Sequence, residues 1–129
     1  MKKTNTITGV LICPDKGTAE KKTIGNDLHD WYAELDCELV DIPERTIGGK
    51  YFDIICDDEG LLKADPYISA LDANYQPMLV GRLFVCHHDN AGNMTSLTDD
   101  ECVHVLKRCR LLATNLHPTP YRMLTDVGY

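Results

Sequence analysis

Residues 47–63, IGGKYFDIICDDEGLLK, place a run of β-branched and aromatic residues between two glycines and a group of acids. Such a run, bounded by turn-forming residues on both sides, is typical of a β-strand. We therefore predict a strand at residues 51–56. The segment Asp58-Glu59-Gly60 then favours a hairpin turn, and Leu61-Leu62 is expected to begin the next strand.

The segments before and after this strand also contain residue patterns that predict strands and a helix. Residues 6–13 are rich in Ile, Val and Thr and stop at Pro14, which predicts a first strand. Further strands are predicted at residues 18–23, 37–42 and 78–88, and a first helix is predicted after Asn26 or Asp27.

The last third of the chain opens with a capping box formed by Thr98 and Glu101, a pattern that marks the start of a helix. Apolar residues then continue at helical spacing until two prolines end the pattern. We predict a C-terminal helix at about residues 99–116 and a tail at residues 117–129. The order of elements predicts an α+β fold, in which two helices pack on one face of a mainly antiparallel sheet.

Length and composition are those of an ordinary globular protein, since the chain has 129 residues of which 43% are hydrophobic and 26% are charged. We expect a single domain over residues 1–129. No apolar run reaches the length of a secretion-signal core or of a membrane span. The protein is therefore expected to be cytoplasmic, without a membrane partner, and its six cysteines are expected to stay reduced.

The net charge of −7 is unevenly distributed along the chain. Residues 26–65 contain twelve acidic and three basic residues, whereas the rest of the chain contains eight acidic and ten basic ones. Phosphates are bound by Lys and Arg, so an acidic surface disfavours direct binding of nucleic acid. It favours a partner protein whose own surface is basic. The candidate contacts are Asp30, Glu34, Asp53, Asp57, Asp58 and Glu59.

Taken alone, Asp57, Asp58 and Glu59 allow two interpretations. Carboxylates bind hard cations, but a calcium loop places its acids at alternating positions before a central glycine, and this segment does not. Consecutive residues in a tight turn also point in different directions. A solvated turn is the better interpretation of these three acids.

Cys86 and His88 form a candidate metal site at the end of the strand predicted at residues 78–88. Two residues apart on a strand, they lie on one face, and both side chains are common zinc ligands. A structural zinc site would need further ligands, and no CxxC spacing supplies them. Structural zinc is the one cofactor that these residues suggest, and core packing of the cysteine is the alternative.

The order of several motifs extends over about residues 20–105. These motifs are Asn26-Asp27-Leu28 with Trp31 and Tyr32, residues 47–63, Pro66, Leu79-Val80-Gly81 and residues 97–101. In this order the chain resembles a family of small, mostly uncharacterised domains encoded by bacteriophages and mobile elements of Gram-positive bacteria. The resemblance implies a setting inside a bacterial host cell, and it supplies no established catalytic residues.

Small acidic proteins of that setting often resemble inhibitors of host defence, including anti-CRISPR proteins that bind RNA-guided nucleases. Because such nucleases hold nucleic acid in basic channels, an acidic face is suited to them. We expect a non-enzymatic inhibitor that binds such a basic surface and blocks nucleic-acid loading or cleavage. The alternative is an accessory protein-binding domain in mobile-element replication or transfer. A small metal-dependent enzyme would need a convergent cluster of ligands that the sequence does not reveal.

Overall fold

The computed structural model describes residues 5–60 and 65–129. Within this part of the chain there are two helices and mainly antiparallel strands, so the predicted α+β class is confirmed. The strands are β1 (Thr6–Cys13), β2 (Thr18–Gly25), β3 (Val40–Asp41), β4 (Glu44–Ile47), β5 (Lys50–Asp57), β6 (Ile68–Leu71), β7 (Pro77–Val80), β8 (Leu83–His88), β9 (Met94–Thr95), β10 (Cys109–Leu112), β11 (Tyr121–Leu124) and β12 (Val127–Gly128). The helices are α1 (Leu28–Leu35) and α2 (Asp99–Leu106), and a 3-10 turn covers Pro14–Lys16.

The strands form two sheets that share part of one core. The larger sheet has the order β12-β4-β5-β8-β1-β2, with β3 paired to β5 and β9 paired to β8. The smaller sheet has the order β10-β11-β6-β7, in which β11 and β6 run parallel. Ile54 of the larger sheet and Leu124 of the smaller one belong to the same buried cluster. The predicted strand at residues 6–13 is β1, and the predicted strand at residues 51–56 lies within β5.

The two helices cover opposite faces of the larger sheet. Side chains alternate between the faces along a strand, and in β1 the neighbours Val10 and Leu11 belong to different buried clusters. Val105 of α2 packs in the cluster of Val10, and Leu35 of α1 packs in the cluster of Leu11. The prediction that both helices pack on one face is therefore wrong. Because the central strands are apolar on both faces, a helix packs against each face and shields it from solvent.

Helix α2 begins as predicted but ends earlier. The Thr98 hydroxyl accepts from the Glu101 amide at 3.2 Å, and the Glu101 carboxylate accepts from the Thr98 amide at 2.8 Å. The helix ends at Leu106, and the chain then forms β10, which pairs with β11. The predictions of a helix at residues 99–116 and of a tail at residues 117–129 are wrong, because tertiary strand pairing outweighs the helical spacing of the apolar residues. Neither described helix has the length and apolarity that crossing a bilayer requires.

The strand predicted at residues 78–88 is divided at Gly81, where φ is 83° in the left-handed region that favours glycine. The first part is β7, which joins the smaller sheet, and the second part is β8, in the middle of the larger sheet. The prediction of one continuous strand is therefore wrong. The division places Arg82 at the crossing from one sheet to the other.

Two glycines set the register on the other side of β5. Gly48 and Gly49 have φ values of 56° and 81°, and they form the two-residue loop of the β4–β5 hairpin. This hairpin places Glu44 directly opposite Asp53. The return strand predicted at Leu61-Leu62, after the turn at residues 58–60, lies outside the described residues.

Candidate functional site

Carboxylates converge around two adjoining clefts between the end of β5, the end of α1 and the β7–β8 crossing. The first cleft has a volume of about 260 Å³ and the second a volume of about 370 Å³, and Asp57 and Gly60 line both. We call this pair the acidic clefts. The described carboxylates that line them are Asp15, Asp36, Asp41, Asp57, Asp58, Glu59 and Asp65.

Asp57, the last residue of β5, organises this surface. It is only 8% exposed, and its Oδ1 accepts a hydrogen bond from the Glu59 amide at 2.9 Å. This bond closes the turn that follows the strand, and it leaves the side chains of Asp58 and Glu59 exposed. Strand β3 pairs beside the same end of β5, with Val40 opposite Asp57, and so adds the exposed Asp41 to the group.

Arg82 is the one cation among the described residues that line the acidic clefts. Its Nε and Nη2 donate to the two carboxylate oxygens of Asp15 at 3.0 and 2.8 Å, and its Nη1 donates to the Glu34 carbonyl at 3.1 Å. The hydrogen bonds from this guanidinium lower the pKa of Asp15. Asp15 therefore matches the charge of Arg82, and the exposed Asp41, Asp58 and Glu59 add negative charge to the described lining of the clefts.

Each of the acidic clefts also has an apolar wall. Leu35, Pro66 and Tyr67 contribute to the wall of the first cleft, whereas β7 supplies the wall of the second. A cleft lined by both carboxylates and apolar residues is suited to Lys and Arg side chains, because their aliphatic stems pack while their charged ends remain paired.

Cys56 is the thiol that lines the second cleft. Burial, reinforced by the charge of Asp41, raises the pKa of this thiol to about 12. The nucleophilic form of a cysteine is the thiolate, so Cys56 is held in its unreactive protonated form at neutral pH. Covalent chemistry through this thiol is therefore disfavoured.

The structure brings together only half of the six acids predicted as partner contacts. Asp57, Asp58 and Glu59 lie at the acidic clefts. In contrast, Glu34 of α1 pairs with Lys22 of β2 at 3.1 Å, and Asp30 lies against Gly25. The sixth acid, Asp53, is 6% exposed and belongs to a different group, described below.

Sequence reasoning missed four carboxylates of the acidic clefts. Asp36, Asp41 and Asp65 belong to the acidic segment at residues 26–65, so the charge count alone indicated their region. No sequence signal points to Asp15, which lies in the 3-10 turn after β1 and is held at the first cleft by Arg82.

Cys86 and His88 share a face of β8, but their surroundings differ. Cys86 is fully buried, donates a weak hydrogen bond to Met94 Sδ at 3.9 Å, and has its pKa raised to about 12 by burial. His88 is exposed, and its Nδ1 lies 2.7 Å from Oδ2 of Asp53. This hydrogen bond raises the pKa of His88. Cys86 therefore packs as a core residue, as do most of the six free cysteines.

Glu44, which the sequence did not single out, joins Asp53 and His88. One ligand atom from each of the three side chains lies within 4.8 Å of the other two. Among residues 5–60 and 65–129, this is the one set of three or more His, Cys, Asp or Glu side chains that converges in this way. We call it the Glu44 triad.

Comparison with known families gives one match. The profile of a family described as a domain of unknown function, DUF3846, matches residues 7–110. The chain belongs to the DUF3846 family. The DUF3846 match begins in β1 and ends in β10, so it includes every residue of the acidic clefts and of the Glu44 triad, while β11 and β12 lie beyond it. No curated protein and no solved structure matches the chain.

Proposed function

We propose that this DUF3846 chain is a non-enzymatic protein-binding domain whose acidic clefts dock against a basic surface of a partner protein. One observation carries the proposal: seven carboxylates and a single guanidinium stand among the described residues that line the two clefts. Charge complementarity of this kind steers association and selects partners of opposite sign.

Two further features support a protein partner. The carboxylates come from the 3-10 turn, the end of α1, β3 and the end of β5, so the folded structure, rather than one acidic run, concentrates them. The apolar walls beside them add contact area for the stems of Lys and Arg. Nucleic acid would be repelled by the same surface, because its phosphates require basic contacts.

The specific form of the proposal is an inhibitor of bacterial defence encoded by a phage or mobile element. An RNA-guided nuclease binds its guide–target duplex in a positively charged channel. Carboxylates presented by the acidic clefts would occupy Lys and Arg side chains that otherwise contact phosphates. Binding would then block nucleic-acid loading or cleavage.

The test is a binding panel of purified RNA-guided nucleases, measured by calorimetry at about 50 mM and about 500 mM salt. We expect at least one nuclease to bind at low salt and to lose most of its affinity at high salt, because salt screens exposed charges. The triple variant Asp41→Asn/Asp58→Asn/Glu59→Gln should bind that nuclease at least about 10-fold more weakly.

A matched control separates the clefts from overall charge. The variant Glu20→Gln/Asp100→Asn/Asp126→Asn removes three exposed carboxylates that line neither cleft, and its affinity should stay within about threefold of the wild type. Equal weakening of both variants would refute the role of the clefts. If no nuclease of the panel binds at low salt, the nuclease form of the proposal fails.

A further inference from the structure

The Glu44 triad unites side chains from three neighbouring strands of the larger sheet. Glu44 lies in β4 directly opposite Asp53 of β5, and Asp53 is opposite Cys86 of β8. His88 follows Cys86 by two residues, so its side chain leaves the same face of the sheet. The Asp53–His88 contact of 2.7 Å and the mutual separations within 4.8 Å bring three donor atoms around one point.

The three donors differ in chemistry and in exposure. They are one imidazole nitrogen and two carboxylate oxygens, and Asp53 is 6% exposed whereas Glu44 and His88 are exposed. The buried carboxylate of Asp53 is paired with His88, and the exposed Glu44 places a second carboxylate beside this pair. A divalent cation would balance both carboxylates at once.

We propose that Glu44, Asp53 and His88 bind a divalent transition-metal ion, with Zn²⁺ as the best match to the donor set. Zinc sites with three protein ligands drawn from His, Asp and Glu keep a position open for water or another ligand. Imidazole favours zinc over magnesium or calcium, whereas manganese is the nearest competitor at a carboxylate-rich site. The exposed Glu44 and His88 place the open position toward solvent.

The site rests on elements that hold their positions. Strands β5 and β8 pair over four residues in the middle of the larger sheet, and the two-residue loop between β4 and β5 fixes the place of Glu44. Ligands on paired strands are held more firmly than ligands on loops. The site differs from the Cys86–His88 pair that the sequence suggested, because it uses His88 with two carboxylates and leaves the buried thiol out.

Metal binding at the Glu44 triad is independent of docking at the acidic clefts. None of the three ligands lines the acidic clefts, and the cleft variant described above retains all three. Loss of metal binding and loss of partner binding can therefore be measured separately.

The test uses the full chain, purified without an affinity tag, stripped with a chelator and titrated with ZnCl₂ by calorimetry. We expect one ion per chain with a Kd of about 1 μM or tighter. Glu44→Gln and His88→Asn should each weaken binding at least about 10-fold. Both residues are exposed, so these variants are expected to remain folded, which circular dichroism verifies.

Two controls sharpen the result. His29→Gln and Glu20→Gln change exposed residues outside the triad and should leave the zinc affinity unchanged. The cobalt-substituted protein should show no thiolate-to-metal charge-transfer band, whereas a site that used Cys86 would show one. The inference is overturned, and the triad is only an ion pair, if the wild type binds neither zinc nor manganese or if Glu44→Gln and His88→Asn bind zinc as tightly as the wild type does.

Discussion

Replacing Gly9 by alanine is expected to lower the free energy of unfolding by about 3 kcal/mol, the upper end of the cost of overpacking a core. A Cβ at this position in β1 would collide with the carbonyl oxygen of Val85 and would lie 2.9 Å from Cζ of Phe84. Phe84 is fully buried and Val85 belongs to the backbone of β8, so neither group can move without disturbing the β1–β8 pairing. Urea denaturation followed by circular dichroism measures the change.

Gly92 provides the contrasting position for this experiment. A Cβ there would meet nothing within 4 Å, so only the positive φ of 84° disfavours a side chain at this position. Asparagine tolerates that conformation, so Gly92→Asn should cost less than about 1 kcal/mol. If Gly9→Ala were as stable as the wild type, the close approach of β1 and β8 at this point would be incorrect.

Truncating Leu124 to alanine is expected to cost about 2–5 kcal/mol, the range for a buried leucine. Leu124 lies in β11, is 0% exposed, and packs with Ala70 and Val10 in the cluster that joins the two sheets. The C-terminal segment is therefore part of the core, although its sequence suggested a tail. Thermal and urea unfolding both measure the loss.

Leu116 is the matched leucine for this comparison. It falls at the end of the helix predicted at residues 99–116, where helical spacing would place it on the apolar face, yet it is 68% exposed. Leu116→Ala should change the free energy of unfolding by no more than about 0.5 kcal/mol. A large effect at Leu116 with a small effect at Leu124 would support the extended helix and contradict the strands β10 and β11.

The sequence correctly predicted strands and helix starts that depend on neighbouring residues. Strand β1 has the predicted bounds, and Asp27 and Thr98 cap α1 and α2 with their side chains, as their chemistry indicates. The incorrect predictions concern segments whose structure depends on pairing with a strand that is distant in the sequence. Cys109–Leu112 keeps helical spacing in the sequence but pairs with β11, and Gly81 divides an apolar run that contained no other sign of a break.

The same distinction applies to the sites. The acids at residues 57–59 are adjacent in sequence and could be recognised as a group, whereas Asp15 lies far from them in the sequence and pairs with Arg82, 67 residues away. Glu44, Asp53 and His88 are separated in sequence, and only the register of β4, β5 and β8 brings them together. Strand register cannot be read from one sequence, so the sequence indicated His88 as a candidate ligand but not its convergence with Glu44 and Asp53.

We propose that the acidic clefts form one surface that recognises basic side chains. Titration of the ¹⁵N-labelled protein with an arginine-rich peptide, followed by NMR, tests it most directly. We expect the largest shift changes at Asp15, Asp36, Asp41 and residues 57–59, reversed by about 500 mM salt. Shift changes spread evenly over the surface, or concentrated on α2, would contradict the claim.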